Sequence, residues 1–376
     1  MRKLDQLTGW RFIAAFGVVL CHFSDLLFPH FPEIFLKVTK GMANFVGFFF
    51  ILSGFILAYN YQTKFLSGKT TIREFLVARF ARIYPACFFS LAIALPAFLY
   101  VNVRTHAPIT SVASYAVASL LLIKTWLPFV SWDGVTAWNG PMWSIETEFF
   151  FYLCFPFLIR PLSKLNLFRS WVAWGSLAIV MTALSLAYDT ALTRDGGEAF
   201  KGAFELFHSS PYFCVLEFAF GIVTYNIASQ MAPAQIESIK RQMVWAFPML
   251  VVSYIALNVS MPTMSVFHGL PAIVFSLIIL GSYTEAGILK ALGSATFVYL
   301  GEVSYSLYLL HIPVREIFQL SERVIKPLAT LEHAAPPVFA ASIISASLGL
   351  AAACYKYVEA PMRKKIRAAL SPAKPE

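Results

Sequence analysis

Apolar runs of membrane-crossing length recur through this chain, and they leave it few ways to fold. Spans at 9–28, 41–60, 82–101, 139–159, 170–188, 211–228, 243–258, 265–283, 297–318 and 335–358 are each close to the roughly 20 residues that a helix needs to cross the hydrocarbon core. Backbone groups in lipid must be hydrogen-bonded within their own segment, so such runs read as helices. Of the 376 residues, 58% are hydrophobic and 13% charged, which leaves short loops and no sizeable soluble domain. The expected fold is an all-α polytopic bundle of about ten spans. It forms a single membrane domain over 1–370, with a short Pro/Ala/Lys tail at 371–376.

A further stretch at 109–127 is broken by serines and ends in Lys124 and Trp126, so it reads as a re-entrant or interfacial segment. Lys and Arg orient the bundle, because cytoplasmic loops carry their excess. Arg2 and Lys3 precede the first span, Lys64, Lys69 and Arg73 follow the second, and Arg363, Lys364, Lys365 and Arg367 close the chain. Both termini are therefore expected in the cytoplasm, with Cys21 and the loop around Asp195 towards the outside. The net charge of +9 is scattered over loops and ends, so topology accounts for it and no nucleic-acid partner is expected. The five cysteines lie singly in apolar runs without a CxxC pair, which points to packing rather than disulfides or a metal site.

Several spans nonetheless carry ionisable groups, which are costly at membrane depth and by default mark function or pairing in a polar cavity. In "RFIAAFGVVLCHF", Arg11 and His22 are eleven residues apart, close to three full turns, so they point the same way about 16 Å apart along the axis. They are expected to face one cavity from opposite depths. Asp25, one turn beyond His22, either orients the imidazole or marks the helix end. "GFFFILSGF" sets Gly47, Ser53 and Gly54 into an aromatic wall and permits close backbone approach. "RFARIYP" places Arg79 and Arg82 on one helix face, where paired guanidinium forks suit phosphate oxygens and where positive-inside anchoring is the plainer reading. "WSIETEFFFYL" carries Glu146 and Glu148 on different faces, open to helix capping or to a hydrogen-bonding role for Glu148. In "SYSLYLLH", Tyr308 and His311 share a face, as packing residues or as part of a site.

Taken in order, "LTGWRFIAAFGVVLCHF", "GFFFILSGF", "RFARIYP", "WSIETEFFFYLCFP", "SYSLYLLH" and "YVEAPMRKK" resemble the acyltransferase-3 family of integral membrane O-acyltransferases, from Leu7 to about Lys365. The resemblance implies transfer of an acyl group, usually acetyl from acetyl-CoA, to a hydroxyl of an extracytoplasmic or lipid-linked carbohydrate at the inner (plasma) membrane. It implies His22 as the essential histidine, Arg11 as its paired arginine, Arg79 and Arg82 as the Arg-x-x-Arg, and Glu148 as the glutamate of the "WS…E…FYL" block. Of these, His22, Arg11 and Glu148 would be catalytic, while Arg79, Arg82 and Arg11 would hold the acyl-CoA donor, with no permanently bound cofactor. Two departures stand out: Glu146 occupies a position where the family commonly has a small residue, and "SPYFCVLEFAFGI" lacks the arginine often found before its Glu-Phe pair. A transporter or flippase with Arg11, His22 and Glu148 along a solute path is the rival reading, although no internal repeat supports it.

Overall fold

The computed structural model describes residues 2–127, 130, 135–194, 209–260, 269–322 and 324–370; the loop around Asp195 and the tail at 371–376 lie outside the described residues. Helix accounts for 87% of the structure, and no strand occurs among the described residues. The helices are α1 (Asp5–Leu27), α2 (Glu33–Gly41), α3 (Phe45–Leu66), α4 (Ile72–Arg104), α5 (Ile109–Leu120), α6 (Met142–Leu162) and α7 (Leu167–Arg194). They continue with α8 (Pro211–Gln230), α9 (Pro233–Ser260), α10 (Leu270–Tyr283), α11 (Ala295–Glu322), α12 (Lys326–Ala334), α13 (Pro336–Cys354) and α14 (Ala360–Leu370). Among the described residues, eight are long and apolar enough to cross a membrane, or nine if α10 and the 3-10 stretch Gly287–Gly293, bent by 83°, make one broken span. Helix α11 is 28 residues long, but Glu302, His311, Arg315 and Glu316 dilute its hydropathy. The chain is thus a polytopic all-α membrane bundle.

Element ends differ from the apolar runs for local reasons. Helix α4 begins ten residues before the expected 82–101 span because Thr71 and Glu74 form a capping box: Glu74 N–H donates to Thr71 Oγ1 at 3.2 Å and Thr71 N–H to Glu74 Oε2 at 2.8 Å. Arg79 and Arg82 are thereby carried on a continuous helix that faces inward. The second run, expected at 41–60, divides into a 3-10 turn over Met42–Asn44 and α3, which continues to Leu66. The segment after α4 forms the 12-residue α5, about 18 Å long and too short to span.

Two close helix crossings set the centre. Helices α3 and α8 meet where a Cβ on Gly54 would strike the Phe218 carbonyl and one on Gly221 would strike the Ile51 carbonyl, so only glycine lets these backbones touch. Helix α1 crosses α11 likewise, with Gly301 against the Thr8 carbonyl. Fully buried phenylalanines, among them Phe55, Phe75, Phe151, Phe155 and Phe218, fill the space between, with Phe151 and Phe218 stacked at 4.9 Å.

Candidate active site

Helices α1, α3, α4, α6 and α11 enclose a cavity with about 1040 Å³ of empty space including its open mouth. Its polar lining is Arg11 and Thr8 from α1, Ser53 from α3, Arg79 and Arg82 from α4, Glu148, Ser144 and Tyr152 from α6, and Ser304, Tyr305 and Tyr308 from α11. The remaining wall is apolar, including Phe49, Phe50, Leu52 and Ile145. Of the five residues to which the family resemblance gives a role, four therefore meet in one space: Arg11, Arg79, Arg82 and Glu148.

Their partners differ. Glu148 Oε1 accepts from Ser53 Oγ at 2.9 Å and from Tyr152 OH at 2.8 Å, and hydrogen bonds to a charged acceptor are each worth about 1.5–3 kcal/mol. Arg82 makes an ion pair with Glu359, whose other oxygen accepts from Ser306 Oγ at 3.0 Å. Glu359 is fully buried and sits at the end of a π-helical turn, Tyr355–Glu359, that joins α13 to α14. The one-residue bulge of a π turn re-aims the side chains that follow it, and here it delivers the carboxylate behind Arg82. Arg79 instead donates to Tyr61 OH at 3.0 Å and lies over the Tyr61 ring at 5.2 Å and the Phe75 and Tyr152 rings at 6.0 Å. Its Nε is buried with no hydrogen-bond partner. Neither Arg11 nor Arg79 has a carboxylate oxygen within 4.0 Å among the described residues. The cavity thus offers two half-buried guanidinium groups, neither of them in a close ion pair among the described residues.

His22 does not line this cavity. Eleven residues of helix carry His22 about 16 Å further along α1 than Arg11, and it is not among the lining residues, whereas Phe49, Ser144 and Tyr308 are. Tyr308 OH is 2.8 Å from Ser144 Oγ, and its ring lies 6.1 Å from that of Phe49. On the far side of Tyr308, 6.0 Å ring to ring, is His311, and His311 Nε2 is 3.0 Å from His22 Nδ1. His22 is exposed and His311 fully buried. Asp25 does not orient the imidazole: it forms an ion pair with Lys40 at 2.9 Å, and the partner of His22 is His311. Glu146 and Glu148 act apart, as their offset requires. Glu146 is fully buried, accepts from Thr125 N–H at 3.0 Å, and fastens the Lys124–Trp126 turn, where Trp126 Nε1 donates to its carbonyl at 2.9 Å. Sequence reasoning assigned Glu359 no role, although its place in "YVEAP" marks a carboxylate beside an apolar run. It left His311 undecided.

The family model described as "Acyltransferase domain" matches residues 4–356. Acyltransferase MdmB of Streptomyces mycarofaciens is 30% identical over 327 residues, covering 83% of this chain and 79% of that protein. Nodulation protein 10 of Rhizobium leguminosarum bv. viciae is 26% identical over 151 residues, 37% of each chain. Protein 2 in the picA locus of Rhizobium radiobacter is 48% identical over 98 residues, 26% of this chain and 50% of that one. No solved structure matches. With a family model spanning nearly the whole chain and a relative similar over most of its length, the protein belongs to the acyltransferase-3 family of membrane acyltransferases.

Proposed function

We propose that the protein transfers an acyl group, acetyl in the simplest case, from acyl-CoA to a hydroxyl of an extracytoplasmic or lipid-linked carbohydrate at the inner membrane. The observation that carries this reading is the pair of cations without carboxylate partners, Arg11 and Arg79, in a cavity that ends one tyrosine short of a histidine pair. A phosphate-bearing donor supplies an ion-pair partner for guanidinium groups that have no close one, and both arginines line the cavity it would enter. A donor held there by its phosphates extends its pantetheine arm along the apolar wall towards Tyr308. Positive charge on the loops at 64–73 supports a cytoplasmic mouth, where CoA thioesters are available.

The chemistry follows from what a hydroxyl needs. At neutral pH it is a weak nucleophile, so a base takes its proton as its oxygen attacks the thioester carbonyl; the new C–O bond forms and the C–S bond breaks. His22 accepts that proton and returns it to the departing thiolate, leaving the ester and CoA thiol. Glu148, held by Ser53 and Tyr152, is fixed in the same cavity wall as Arg11 and Arg79 and orients the polar side of the site. Membership in an acyltransferase family favours this reading over a solute path.

The test is a strain carrying the wild-type gene, the gene deleted, or His22→Gln. Mass spectrometry of surface glycans and glycolipids is expected to show an acyl increment with the wild type alone. An increment that persists in the deletion, or in His22→Gln at normal protein level, refutes the assignment.

A further inference from the structure

His22 and His311 stand 289 residues apart in the chain and 3.0 Å apart in space, and the hydrogen-bond chemistry around them fixes which nitrogen of His22 is free. His311 is fully buried, and its Nδ1 lies 3.3 Å from the Leu307 carbonyl oxygen, one turn back along α11. A carbonyl only accepts, so Nδ1 of His311 is the protonated nitrogen and Nε2 carries the lone pair. Facing that lone pair is His22 Nδ1, which must therefore be the donor. In a neutral imidazole one nitrogen donates and the other accepts, so the lone pair of His22 is left on Nε2. The two ring centroids are 5.0 Å apart, the distance expected when the rings meet edge to edge through these nitrogens.

The surroundings hold this arrangement from several sides. Arg315 donates to the backbone carbonyl of His22 at 2.8 Å, tying α1 to α11 beside the pair. Asn139 donates to the Leu309 carbonyl at 3.0 Å and to Ser90 Oγ at 3.2 Å, fixing α11 against α4 at the level of His311. The nearest carboxylate along α1, Asp25, is engaged with Lys40.

We propose that His311 is a positioning residue for acyl transfer: by accepting the Nδ1–H of His22, it commits His22 Nε2 as the atom that takes the acceptor hydroxyl's proton. This rests on the reading of His22 as the general base. When Nε2 takes the proton, His22 becomes an imidazolium and keeps donating through Nδ1. His311 stays neutral, with both nitrogens already engaged, so it orients the base without relaying a proton. Without it, His22 is free to carry its proton on Nε2, the tautomer that cannot act as base at that atom.

The experiment compares His311→Gln with His311→Met. The Gln amide oxygen reaches the place of Nε2 and can accept from His22, whereas Met has similar bulk and only a weak acceptor. CoA release from acetyl-CoA is measured in native membrane vesicles, per amount of folded protein, with His22→Gln alongside. We expect His311→Met to lose about 100-fold or more in kcat at an unchanged KM for acetyl-CoA, and His311→Gln to retain at least about tenfold more than Met. Equal kcat for the two His311 variants, or loss confined to KM, overturns the positioning role. An active His22→Gln overturns the reading of His22 as base. Inactive His22→Gln beside fully active His311→Met overturns the positioning role alone. Should neither His311 variant fold, solid-state NMR of ring-15N-histidine wild-type protein in bilayers, with His22 assigned by difference from His22→Gln, decides the matter. A His22 bearing its proton on Nδ1 is expected, and one bearing it on Nε2 overturns the proposal.

Discussion

Arg79 and Arg82 sit one turn apart on α4, yet their substitution by alanine is expected to fail in different ways. Glu359 is fully buried and the Arg82 side chain is 17% exposed. Arg82→Ala leaves Glu359 with Ser306 as its remaining hydrogen-bond donor and no counter-charge. Removing one partner of a buried ion pair costs about 3–5 kcal/mol, because the surviving charge stays desolvated. At roughly 2 °C per kcal/mol for a large domain, the unfolding midpoint falls by about 6–10 °C. Glu359→Gln is expected to cost less: Gln still accepts from Ser306, and the abandoned guanidinium faces a cavity that water can enter. Replacing both residues, as Arg82→Met with Glu359→Leu, removes both desolvation penalties and should recover most of the loss. The assay is the thermal midpoint of detergent-solubilised protein at one fixed heating rate, with the KM for acetyl-CoA measured in parallel. An Arg82→Ala protein that melts like the wild type, and whose donor KM rises as much as that of Arg79→Ala, would refute the structural assignment and make Arg82 a phosphate ligand.

Arg79→Ala, by contrast, should leave the midpoint within about 1 kcal/mol equivalent and raise the KM for acetyl-CoA roughly 10- to 100-fold, the loss of one charge-assisted phosphate contact; steady-state kinetics check it, and Arg79→Lys should recover only part, lacking the planar fork. Gly221→Ala drives a methyl into the Ile51 carbonyl at the α3–α8 crossing and should cost about 1–3 kcal/mol by overpacking, read as a lowered midpoint with donor KM unchanged. Glu146→Gln preserves an acceptor for Thr125 N–H but gives up the Lys124 ion pair at 4.0 Å, and should cost less than Glu146→Ala, which also leaves that N–H unpaired for about 1–3 kcal/mol more. Cysteine accessibility should place Lys69 and Lys364 on the cytoplasmic side and the loop at 28–32 on the other; labelling of position 364 from outside would reverse the orientation and move the cavity mouth with it.

The class of fold and most of the chemical inventory are legible in the residue order. Apolar runs near 20 residues long dictate membrane helices because lipid offers no partner to a backbone amide. Arg11, Arg79, Arg82 and Glu148 stood out because charge at membrane depth demands a cavity, and the cavity exists with all four in its wall. Local signals were also legible in principle: Thr71 with Glu74 three residues on is a helix start, which moves α4 earlier than hydropathy alone suggests. Which polar group answers which depends instead on how the helices pack. Spacing along α1 suggested one cavity for Arg11 and His22, but the cavity wall holds Arg11 and not His22, because its other walls come from α3, α4, α6 and α11. Asp25 was the near neighbour of His22, yet it pairs with Lys40, and the imidazole meets His311 from the other end of the chain. Arg82 looked like a twin of Arg79 until a π turn brought Glu359 behind it. Helix period specifies a face, whereas the partner on that face is set by how helices distant in sequence cross, and those crossings rest on where glycines let two backbones touch.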